Sequence, residues 1–201
     1  VKQLTRGRRS GYTLVELVIS STFLASLLLI AGFATDRTMS AFRERRAEQE
    51  SVVAANRVLQ RVAGELTFAA GDGLGPATVT GTGSERIEFR VAIGGGALGP
   101  ARALALELED GGLVDEQRVL WIEGEGGPDE RRTTFATAVA EYLEGELANG
   151  LDDNENGLRD ERGLSFVREG EAVRVRLTML YRSPGGAART RTLETLVFPR
   201  N

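Results

Sequence analysis

The sequence predicts an α+β protein: one long N-terminal helix, apolar all round and then amphipathic, packed on an antiparallel β-sheet. Three observations carry this. From Leu17 to Ala34, 18 residues, no side chain is charged and apolar residues fall on every helical face. Beyond that run, Val52, Ala55, Val58, Leu59, Val62, Leu66 and Ala69 recur at three and four, with Glu50, Arg57, Arg61 and Glu65 between them, the pattern of a helix with one buried stripe. From residue 87 onward the period becomes two, as in strands with one face buried.

Taken in order, residues 12–35 are long enough to cross a bilayer, about 36 Å at a rise of roughly 1.5 Å per residue. The competing reading of the same stretch is a secretory signal peptide cut at Gly32-Phe33-Ala34, which would leave a secreted, calcium-binding domain starting at Thr35. Basic residues do not orient the segment, because Lys2, Arg6, Arg8 and Arg9 precede it and Arg37, Arg43, Arg45 and Arg46 follow it. The long remainder of the chain follows the segment, and long domains translocate largely regardless of charge. The first residues are therefore placed in the cytoplasm. Residues 36–70 are predicted as the amphipathic continuation of the helix, since no Pro interrupts it before Gly71, Gly73, Gly75 and Pro76.

Residues 71–201 are predicted as an extracytoplasmic, β-rich domain. Ile87, Phe89, Val91 and Ile93 alternate with polar or small residues, as do Leu104, Leu106 and Leu108, and Val173 to Tyr181. Val119 to Ile122 is a short apolar run with the chain's single Trp, and Leu193 to Phe198 reads as a last strand before Pro199. Asp110-Gly111-Gly112 and Glu169-Gly170 are turn signals, as are Gly94 to Gly96 and Gly124 to Pro128. Phe135 to Leu147 fits both a helix, through Phe135, Val139, Tyr142 and Leu143, and a strand, through Thr133, Thr134 and Thr137.

Composition narrows the chemistry. With no Cys and no His, disulfides, thiolate metal sites and histidine acid/base catalysis lose their residues. No nucleophile–base pair or phosphate loop stands out, so catalysis is not expected. The formal charge is −4, and taking away the four positive charges of residues 1–11 leaves −8, which argues against direct binding of nucleic acid.

The one charge at the head of the apolar run is Glu16. Arg8-Arg9-Ser10-Gly11, then Tyr12-Thr13-Leu14-Val15-Glu16-Leu17 and a long apolar helix, resemble the class III leader and mature start of type IV pilins and pseudopilins. The resemblance implies that a prepilin peptidase cuts after Gly11 and methylates the new amino terminus at Tyr12, a position where Phe or Met is usual. Residues 1–11 would be the leader and Glu16 the fifth mature residue. It also implies a pilin-like fold and assembly with other pilin or pseudopilin subunits, from the inner membrane into a pilus or periplasmic pseudopilus. Within the family, Asn56 to Leu66 followed by Ala69-Ala70-Gly71 is similar to PilW-type minor pilins and to the J-type pseudopilin of type II secretion.

An ionisable side chain near the membrane needs a partner. A free α-amino group, with an ordinary pKa of about 7.7–8.0, is mostly cationic at neutral pH. The Glu16 carboxylate of one subunit would pair with that amine on a neighbour, and a subunit out of register would bury an uncompensated charge. The alternative is that Glu16 stays among headgroups, favoured there by the helix dipole.

One further cluster carries metal chemistry. Asp152, Asn154 and Asn156 place oxygens at alternate positions, Gly157 follows, Leu158 offers a carbonyl, and Asp160 and Glu161 add acids. Calcium takes six to eight such oxygens on a tight loop, so these residues are a candidate Ca2+ set. Gly163 stands where an EF-hand has its bidentate Glu. The other reading is an acidic Asx-rich surface turn.

Overall fold

The computed structural model describes residues 13–70, 74–75, 83–108, 116–183 and 186–200. Among the described residues one helix, α1 (Leu14–Thr67), is followed by seven strands: β1 (Arg86–Gly94), β2 (Ala97–Leu108), β3 (Glu116–Glu123), β4 (Arg131–Ala140), β5 (Leu164–Glu169), β6 (Ala172–Arg182) and β7 (Ala188–Val197). All strand pairs are antiparallel, in the order β1-β2-β3-β4-β6-β5, with β7 on the other side of β6. Ser84, just before β1, bridges Phe166 on β5, so the sheet curls until the two ends of this path meet. The α+β expectation is met at this level: a long helix, apolar at its start, and a curled antiparallel sheet.

The chain divides into two compact units, residues 1–43 and 44–201. In the first, the described residues of α1 are exposed throughout. In the second, Ser51, Ala55, Val58, Leu59, Val62 and Leu66 form the buried stripe of α1. The stripe packs on Phe89, Leu104, Val119, Val139, Val175 and Leu177 from the concave face of the sheet. Each fully buried aliphatic side chain contributes about 1.5–3 kcal/mol, so this stripe holds the last turns of α1 on the sheet. Glu65 adds a polar tie, accepting from Arg102 Nη1 and Trp121 Nε1, each at 3.2 Å.

Three expectations are revised. The helix ends at Thr67, not at residue 70, because Ala69 already bridges Val91 and the Ala70 amide donates to the Arg90 carbonyl at 2.8 Å. The open segment from Phe135 is strand up to Ala140 and loop beyond. β7 starts at Ala188, five residues before Leu193, and Phe198 lies past its end. The Gly94–Gly96 turn is as read, with φ of 97°, 61° and 77°, a region that glycine enters freely. The expected turn at residues 110–112 lies outside the described residues.

Candidate functional site

α1 begins with reciprocal hydrogen bonds between Thr13 and Glu16. The Glu16 amide donates to Thr13 Oγ1 at 3.3 Å. In return Glu16 Oε2 accepts from the Thr13 amide at 3.1 Å and from its hydroxyl at 3.2 Å. This is a capping box: a Thr at the N-cap and a Glu three residues on each satisfy a backbone donor that the helix leaves unpaired. The carboxylate also sits at the positive end of the helix dipole. Glu16 thus has a structural task within its own chain, one that the Thr-x-x-Glu spacing encodes and that the sequence reading credited only to the dipole. Gly11 and Tyr12, the cleavage and methylation residues, lie outside the described residues.

Past the cap, the helix presents an uncharged, mostly apolar surface up to Thr35. Phe23, Ile30 and Phe33 are 67%, 66% and 67% exposed, and α1 is long and apolar enough to cross a membrane. Its hydroxyls bond back to the helix. Ser21 and Thr22 donate to the Val18 carbonyl at 2.9 and 2.8 Å, Ser26 to Thr22, Thr35 to Ala31 and Thr38 to Ala34. Such back-bonding leaves these side chains without an unmet need for water. The first charge after Glu16 is Asp36.

The 146–161 segment gathers several of the carboxylates the sequence singled out. Asp152 accepts from the Asn156 amide at 3.0 Å and the Gly157 amide at 2.7 Å. Asn154 Oδ1 accepts from the Asn156 amide and Asn156 Oδ1 from the Leu158 amide. Asp160 accepts from the amides of Asn149 and Gly150, both at 2.9 Å. Glu161 is buried, bound by Arg176 Nη1 at 2.9 and 3.1 Å, by the Ser165 hydroxyl at 2.9 Å and by the Asn156 amide group. Sequence reasoning missed Glu146, whose buried carboxylate accepts from the amides of Asn154 and Asp160 at 3.3 and 3.1 Å. Burial raises the Glu146 carboxyl above its ordinary range, against the pull of those two amides, and the charges of Glu161 and Asp152 add to the rise.

As arranged, the carboxylates of the candidate calcium set hold backbone amides and a guanidinium. Among the described residues no group of three or more acidic side chains surrounds a position for a metal ion. What the set does in this form is fix the loop and latch it to β5 and β6 through Glu161, Ser165 and Arg176. Comparison with family models, curated proteins and solved structures gave no match to this chain.

Proposed function

We propose that the chain is a PilW-like minor pilin, made as an inner-membrane prepilin with its β-rich domain outside the cytoplasm. Prepilin peptidase removes residues 1–11, and the mature subunit enters a type IV pilus or pilus-like filament through α1. The J-type pseudopilin of a type II secretion system is the variant of this reading with the same mechanism. It has no catalytic step. Residues 12–35 leave the bilayer and are reburied against the helices of other subunits, each buried Leu or Ile contributing about 1.5–3 kcal/mol. Glu16 registers the subunit against a neighbour's amino terminus.

The observation that carries this reading is the start of α1: a capped, charged first turn followed by an apolar helix surface that the chain leaves exposed. Cleavage after Gly11 would leave Tyr12 alone ahead of Thr13, so the new ammonium group would stand one residue before Thr13, to which the Glu16 carboxylate is bonded. A carboxylate that already bonds two donors keeps further lone pairs for a third.

The test compares Glu16→Gln with Glu16→Ala in the native host. A Gln preserves the capping box but has no charge, whereas Ala loses both. Both variants are expected to be cleaved to a methylated Tyr12 start, by intact mass and terminal peptide mapping, and both are expected to be depleted from sheared filaments. Normal recovery of Glu16→Gln would remove the register role and leave Glu16 as a cap. A mature chain starting at Thr35 would replace the pilin reading with a signal peptide.

A further inference from the structure

The sheet comes apart at one place, and the opening is lined as a binding site. β4 and β6 share a single pair, Val139↔Met179. Beyond it, among the described residues, 135–138 on β4 and 180–182 on β6 have no strand partner across the gap. Next to the shared pair, Ala138 holds φ of 55°, a left-handed conformation that a residue with a Cβ adopts at a cost and that marks functional sites more often than chance. The cleft so formed has a volume of about 640 Å³ and is floored by α1.

Its chemistry is specific. On the floor, between Ala47 and Ala54, lies Ser51, whose Oγ is buried with no hydrogen-bond partner. Buried hydroxyls are nearly always paired, so this one points to a group that arrives from outside. The rim is basic. Arg57 and Arg61 are exposed and have no carboxylate partner among the described residues, Arg61 resting on the Phe135 ring at 4.7 Å. The carboxylate beside them, Glu50, is already held by Arg46 at 2.9 Å. The side wall is a strand edge with no strand partner across the gap, which offers amide and carbonyl groups for pairing.

We propose that this cleft receives an extended, carboxylate-bearing peptide segment from another protein chain. The segment pairs with the free edge of β4, as in strand addition. Its acidic side chains meet Arg57 and Arg61, whose planar forks suit carboxylates, and one of its polar groups completes Ser51. A small free anion would satisfy the arginines and leave the strand edge unpaired, so the combination of edge, hydroxyl and basic rim favours a peptide. The site lies wholly within residues 47–182 and does not rest on the filament reading.

The test titrates the full chain in detergent micelles against a fluorescent, end-blocked heptapeptide alternating Val with Glu, followed by anisotropy. Saturable binding is expected, about tenfold weaker when Arg57→Glu and Arg61→Glu are combined. The same loss is expected when alternate peptide amides are N-methylated. Ala54→Glu, which sets a carboxylate on the floor of the cleft, provides a second variant if the double reversal disturbs folding. No saturable binding would overturn the proposal, as would equal binding of the Lys counterpart, indifference to N-methylation, or full displacement by millimolar inorganic phosphate.

Discussion

Phe23, Ile30 and Phe33 on the first part of α1 stay about two-thirds exposed, whereas Val62 and Leu66 near its end are fully buried. Both stretches are helical and both are rich in apolar residues. What separates them is arrangement. Ser51, Ala55, Val58, Leu59, Val62 and Leu66 make one stripe flanked by the charged Glu50, Arg57, Arg61 and Glu65, and a single stripe can be covered by one sheet. Residues 17–34 are apolar on every side, and no single sheet can cover a full cylinder. Periodicity therefore tells whether a helix finds its cover inside its own chain or leaves its apolar surface for something outside it.

Four substitutions test that contrast, the largest effect first and with Leu29→Ala set beside Leu66→Ala as its counterpart. Arg176→Met should cost the folded part about 3–5 kcal/mol, because it leaves Glu161 buried without its counter-charge. Urea unfolding of the full chain in detergent measures it, and a loss below about 1 kcal/mol would mean that the pair is not buried as described. Leu66→Ala should cost about 2–5 kcal/mol by the same assay, and Leu29→Ala under about 0.5 kcal/mol. Equal losses at Leu66 and Leu29 would erase the distinction between the two stretches. Thr13→Ala should weaken the start of α1 by about 0.5–2 kcal/mol, seen as faster amide exchange at residues 14–17 with the melting of the β-rich domain unchanged.

The smallest effect is one of pH. Burial raises the Glu146 carboxyl above its ordinary 4.5, so the folded chain holds that proton more tightly than the unfolded one. The stability it contributes is complete below 4.5 and is lost as pH rises through the folded value. Glu169 runs the other way. Arg174 holds its carboxyl low, so its contribution is lost as pH falls. Amide exchange across 143–161, followed from neutral to mildly acidic pH, should slow more in the wild type than in Glu146→Gln. The same slope in both would remove Glu146 as its source.

The sequence read most clearly where apolar residues alternated with polar or small ones. β1 and β6 alternated and were legible for that reason. β4 was ambiguous because Phe135 and Val139 on the strand and Tyr142 and Leu143 in the loop beyond it fall at helical spacing, and the left-handed Ala138 breaks the strand's own alternation. β5 carried no periodic signal, since Leu164, Ser165 and Phe166 are buried in succession, and only its Glu169-Gly170 turn was read. The start of β7, Arg189 to Thr192, has no apolar residue to mark it. At the candidate sites, Glu16 stood out as a lone charge and its partner Thr13 was readable from spacing. Arg176, which binds Glu161 from a different strand, was not: that meeting is made by the fold of β5 on β6.

The single pair between β4 and β6 also has a mechanical meaning. A sheet shares load across its ladders, and here the four strands β1–β4 meet the three strands β5–β7 at narrow places, Val139↔Met179 and, at the ends of the path, Ser84↔Phe166. Tension that separates those groups at β4 meets one rung there, backed by the Tyr142↔Arg162 bridge. Pulled that way, the domain would part along this seam first, with the β6–β7 and β2–β3 ladders still intact on either side.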